Sequence, residues 1–89
     1  MIVAIIQHEV GDFAEWKKVF DADQPAVKKA GAMLIGLYTS VKNTNDVTII
    51  YEAPNAEIYD NLMSDPERQE AIKRAGVIGV PVATFLNKV

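Results

Sequence analysis

The extended segments of this 89-residue chain are apolar on both faces, and that limits its possible folds more than any other feature. Alternate side chains along a strand point to opposite sides, so a sheet wetted on one side carries apolar residues at one parity only. In Met1–Val10, Ile2, Ala4, Ile6 and Val10 share one parity while Val3 and Ile5 share the other. Ala32–Val41 sets Met33, Ile35, Leu37 and Val41 against Leu34 and Tyr38, and Val47–Ala53 sets Val47, Ile49 and Tyr51 against Ile50. Helices can cover one such face. The other would leave a patch larger than soluble monomers usually expose, so a homodimer joined sheet to sheet is expected.

The helical segments lie between these strands. Asp12 with Glu15 three residues on forms a capping box, and Phe13, Trp16, Val19 and Phe20 follow at helical spacing, with Ala26, Val27 and Ala30 continuing to Gly31. Pro25 interrupts that run, so a kink or restart is expected near Ala22–Gln24. Lys42–Asp46 is a polar turn that makes the second and third strands a hairpin. After Pro54, Ala56–Met63 has Ile58, Tyr59, Leu62 and Met63 at helical spacing; Ser64, with Pro66 and Glu67 behind it, is the expected N-cap of a further segment to Ala75. Gly76 closes that segment, Val77–Pro81 reads as a linker, and Val82–Leu86 as the last strand. The order strand, helix, strand, strand, helix, strand predicts an α+β, ferredoxin-like βαββαβ fold. It forms one domain over residues 1–89, with a four-stranded antiparallel sheet in spatial order 4-1-3-2 and both helices on one face.

Charge and side-chain inventory exclude several functions. Nine Lys plus Arg against twelve Asp plus Glu give a net charge of -3, the wrong sign for a nucleic-acid surface. The RNA-recognition module shares the element order but stacks bases on aromatics of the first and third strands; here the first has none and the third only Tyr51. No Cys and a single His leave no set of zinc ligands and no paired thiols for a metal chaperone, so neither a metal nor another cofactor is expected. Gly76–Pro81 lacks the Lys and Ser/Thr of a phosphate loop and follows a helix instead of a strand. The Ile2–Ile6 run has no basic leader and is far too short to span a bilayer, so no membrane association and, by default, a cytoplasmic location are expected.

The stretch His8-Glu9-Val10, the segment Asp12-Phe13-Ala14-Glu15-Trp16-Lys17-Lys18-Val19-Phe20-Asp21-Ala22-Asp23, and Ala75-Gly76-Val77-Ile78-Gly79-Val80-Pro81 resemble small uncharacterised members of the dimeric α+β barrel superfamily over nearly the whole chain. The resemblance implies a barrel formed by two sheets, one from each copy. That superfamily includes cofactor-free monooxygenases of the antibiotic-biosynthesis type, haem-degrading enzymes, muconolactone-isomerase-like proteins and stress-responsive proteins. It therefore implies no single chemistry, and the Asn, Trp and His grouping of the monooxygenases does not map position by position onto this chain.

In this topology the end of the first strand, the start of the first helix, the end of the second strand and the 76–81 segment converge, so His8, Asp12, Trp16 and Tyr38 are expected to rim one mouth. His8 is the one side chain that titrates near neutrality, hence the candidate acid or base, or else simply a hydrogen-bonded strand-end residue. Trp16 is placed to stack on a planar ligand or to sit in the core with Phe13 and Phe20. Tyr38 can donate to a ligand oxygen or rest its ring on the sheet with its hydroxyl in water. Asp12 belongs to the ligand-binding set or only caps the helix. Glu52 falls at the opposite end and is expected to be an edge or interface charge. Two functions follow: a homodimer that binds a small apolar or aromatic ligand without a catalytic set, or a cofactor-independent monooxygenase or isomerase using His8 as acid or base. An amino-acid-sensing regulatory domain, with ligand at the Gly11-Asp12 junction, is a third.

Overall fold

A computed structural model describes residues 1–89 as β1 (Ile2–Val10), α1 (Phe13–Ala30), β2 (Met33–Thr39), β3 (Asp46–Ala53), α2 (Glu57–Met63), α3 (Pro66–Arg74) and β4 (Val77–Asn87). All strand pairs are antiparallel, in the order β2-β3-β1-β4, which is the expected ferredoxin-like arrangement. The helices cover the face carrying the even-numbered residues of β1. There Trp16 and Phe20 of α1 pack with Val10, Val47 and Ile49, and Val27 packs with Ala32 and Ala53.

Capping follows the sequence at α1 and departs from it at α3. Asp12 accepts from the Glu15 amide at 3.1 Å, and Gly31, at φ 106°, closes the helix. The cap of α3 is Asp65, not Ser64: Asp65 accepts from the Glu67 amide at 3.0 Å, while Ser64 ends α2 and donates its hydroxyl to the Asn61 carbonyl. Pro66 is the reason. It pushes the residue before it into extended backbone, the conformation of an N-cap, and so selects Asp65.

Two other expectations are corrected. Of the kink or restart expected near Ala22–Gln24, the restart is overturned: α1 runs unbroken through Pro25, 18 residues in all. Trp16 and Phe20 before the proline and Val27 after it are all buried, so tertiary packing on both sides outweighs the one lost backbone bond. Val77–Pro81 is not a linker but the start of β4, with Val77 paired to Val10 and Ile78 to Glu9. Gln7 pairs with Val82 and Glu9 with Ile78, so four residues of β4 span two of β1 and the strand bulges there. Gly79, at φ 73°, supplies the left-handed residue that the bulge requires.

A bulge in β2 has a larger consequence. Leu34 pairs with Tyr51 but Gly36 with Ile50, which leaves Ile35 unmatched. One extra residue moves every later side chain of the strand to the opposite face. Leu37 thereby faces the helices and Tyr38 the bare side of the sheet.

Candidate functional site

Between the sheet and the three helices lies a cavity of about 160 Å³, and 20 of its 25 lining residues are hydrophobic. Ala4, Ile6, Ile49 and Tyr51 contribute its floor, α1 one wall, and α2 with α3 the roof. No residue of α2 or α3 is fully buried, so the roof is lightly packed. Tyr59 helps fix it by meeting Phe85 of β4 edge-on, ring centroids 5.2 Å apart.

The expected convergence at one end of the sheet is present. The Gly11 amide donates to the Gly76 carbonyl at 3.0 Å, tying the β1–α1 turn to the α3–β4 turn. Asn45, in the hairpin, adds a brace. Its carbonyl accepts from the Val10 amide at 2.8 Å and its Oδ1 from the Phe13 amide at 3.0 Å. Sequence reading passed over Asn45 because its partners are more than thirty positions away.

His8 and Trp16 meet at this end. Their ring centroids are 5.4 Å apart in an edge-to-face arrangement, and both line the cavity. His8 stands beside the β4 bulge, where it has no cross-strand partner on that side. Its Nδ1 is buried and makes no hydrogen bond. Burial pushes the imidazole below its ordinary value, outweighing the opposing influence of the Glu9 backbone and the Asp46 carboxylate. His8 is therefore neutral at pH 7 and carries an unsatisfied nitrogen. Trp16 is 4% exposed and stacks on Phe20 at 4.8 Å, with Phe13 at 5.8 Å, so it is a core residue whose remaining surface forms cavity wall.

The other two candidates lie elsewhere. Asp12 is exposed, spends its carboxylate on the helix cap and does not line the cavity. Tyr38 pairs with Thr48 on the bare face, 56% exposed, its ring lying across Gly36. Without the Ile35 bulge it would stand opposite Val47, in the same row as His8; the bulge removes it from the site. Glu52 is also on the bare face, on the interior strand β3 and not at a sheet edge, and binds Lys88 at 3.1 Å.

The cavity also contains polar residues that sequence reading did not single out. Tyr51 shares the parity of Val47 and Ile49, a signal that was available, and its hydroxyl accepts from Gln24 Nε2 at 3.1 Å. Arg68 and Asp23 form a bidentate ion pair between α3 and α1, 45 positions apart, which no local pattern announces. No three His, Asp or Glu side chains converge so as to hold a metal ion, and no helix is long and apolar enough to cross a membrane.

The lowered His8 value has a stability consequence with a definite sign. Between the folded value and the unfolded one, about 6.5, the unfolded chain binds more protons, so stability falls as pH drops through that window and levels off below it. Urea unfolding at pH 7.5 and pH 5 should show a larger loss on acidification in the wild type than in His8→Gln. Equal losses would mean that burial does not perturb this imidazole.

No family model matches this sequence, and no curated protein matches it. Solved structures do share its fold. A candidate antibiotic biosynthesis monooxygenase from Bordetella bronchiseptica superposes with a TM-score of 0.81 at 18% identity, over 99% of this chain and 96% of that one. SnoaB, a cofactor-independent oxygenase from Streptomyces nogalater, gives 0.76 at 14% identity, over 99% and 92%. An uncharacterised NIPSNAP domain protein from Burkholderia xenovorans gives 0.71 at 21% identity, over 100% and 95%. At these identities the likeness is one of fold, the α+β, ferredoxin-like arrangement of the single chain.

Proposed function

We propose that this chain is a homodimeric α+β barrel protein whose cavity binds a small apolar or aromatic molecule. The observation that carries the ligand reading is the cavity itself: about 160 Å³ walled mainly by hydrophobic side chains. An apolar cavity of roughly 150 Å³ takes up a benzene-sized molecule. His8, in the same wall, is a polar side chain that can favour one orientation of a ligand.

The dimer rests on the bare face. A folded monomer of 9.8 kDa exposes about 5,200 Å². This chain exposes 5865 Å² and fully buries only nine of its 89 residues. Met33, Tyr38, Val82 and Leu86 are among its exposed large side chains, and all four lie on the sheet face that no helix covers. A second copy related by a two-fold axis would cover this face with itself.

Toluene is a suitable first probe. Titrated into the protein, it should produce a saturable change in the emission of Trp16, the only tryptophan, which lines the cavity. Ala71→Phe, which adds bulk to the cavity wall, should abolish the change. No saturable change in the wild type would remove the ligand reading.

A second reading is favoured by the same His8 side chain. A neutral, half-buried imidazole in a cavity wall is suited to accept a proton from a bound substrate, as a cofactor-independent oxygenase or isomerase requires. His8→Ala separates the two, since it would retain toluene uptake under either reading and lose turnover only under the second.

A further inference from the structure

The cavity has a second polar pole, away from His8. Tyr51 stands opposite Ala4, while His8 stands opposite Val47, so the two rows are four residues apart, roughly 13 Å along the strands. Gln24 Nε2 donates to the Tyr51 hydroxyl at 3.1 Å and to the Phe20 carbonyl at 3.3 Å. A carbonyl can only accept, so the nitrogen end of the amide must be the one that points here. Both amide protons are then engaged, and the Tyr51 hydroxyl accepts from Gln24 while keeping its own proton to donate. No protein group accepts that proton. Burial, with the Asp23 charge adding to it, pushes the hydroxyl above its ordinary value, so it remains protonated across the neutral range.

Arg68 and Asp23 line the same cavity, and Nη1 meets Oδ1 at 2.7 Å while Nη2 meets Oδ2. The Arg68 side chain is only 17% exposed. The planar fork of a guanidinium is the group best suited to seize a carboxylate, and here Asp23 already occupies it. An incoming anion would find no free fork and a like charge beside it.

We infer that this pole selects an aromatic ligand bearing a neutral carbonyl-type oxygen, which accepts from Tyr51, and that Asp23 excludes aromatic carboxylates by engaging Arg68. The inference rests on the cavity being a ligand site and names the class of ligand that site prefers.

Toluene, acetophenone and benzoate share one ring and differ only in the group presented to this pole. The wild type should bind acetophenone several-fold tighter than toluene and at least tenfold tighter than benzoate. Tyr51→Phe should bring the acetophenone-to-toluene affinity ratio down to about one. Asp23→Asn should improve benzoate tenfold or more relative to toluene, whose retained binding certifies that the variant is folded. An unchanged acetophenone-to-toluene ratio in Tyr51→Phe, or an unchanged benzoate-to-toluene ratio in Asp23→Asn, overturns this inference while leaving the cavity a ligand site. Failure of toluene to bind the wild type overturns the ligand-site reading first, and this inference with it.

Discussion

Trp16→Ala should remove about 3–5 kcal/mol of this protein's stability, a large share of the total. Trp16 is 4% exposed and joins His8, Phe13 and Phe20 into one aromatic group, packed on Val10, Val47 and Ile49. Truncating a buried tryptophan costs about 3–5 kcal/mol, transfer and cavity contributions together. A chain of this length has a total stability of about 4–13 kcal/mol. With so few buried residues, this protein has little else to hold its helices on the sheet. Circular dichroism during urea titration is the suitable readout, because the variant has no tryptophan emission. Val19→Ala, on the same helix but 40% exposed, should cost far less and serves as the comparison. A Trp16→Ala midpoint close to that of Val19→Ala would mean that the core lies elsewhere.

Under the proposed sheet-to-sheet dimer, Ile50→Lys should leave the chain monomeric. Ile50 sits mid-sheet on the bare face, between Ile5 on β1 and Gly36 on β2. If two copies pack sheet to sheet, each buries one unpaired ammonium near the two-fold axis, and the two charges repel. Burying an unpaired charge costs several kcal/mol per ion. An effect of about 4 kcal/mol already weakens association roughly a thousandfold. Sedimentation at micromolar concentration should give twice the 9.8 kDa chain mass for the wild type and for Ile50→Val, and the single chain mass for Ile50→Lys. A wild type that sediments at 9.8 kDa would sink the dimer, whatever the variants do. Because Ile50 faces away from the cavity, the lysine variant should retain toluene binding if it stays soluble, which would separate assembly from ligand uptake.

The place of His8 and Trp16 in the cavity wall was legible because both are fixed by local rules. His8 shares the parity of Ile6 and Val10, and Trp16 the helical stripe of Phe13 and Phe20. Tyr38 was misplaced by a single residue of slippage. Nothing in Met33-Leu34-Ile35-Gly36-Leu37 marks Ile35 as the unmatched one, because every residue there except glycine is apolar and suits either face. Asp12 shows the opposite limit. Its capping role was plain, but nothing local says whether a capping carboxylate also faces a cavity. Asp23, Gln24, Tyr51 and Arg68 come from three elements, and they form a polar group only after α1 and α3 have docked.

The order of elements, the helix ends at Asp12 and Gly31 and the apolarity of both sheet faces were written in the sequence, since each depends on residues within a turn or strand of one another. Docking decided the rest: which strand bulges, which proline a helix runs through, which aspartate caps α3 and which acid meets Arg68. Those outcomes depend on contacts between segments tens of residues apart, whose energies exceed the local preferences they override.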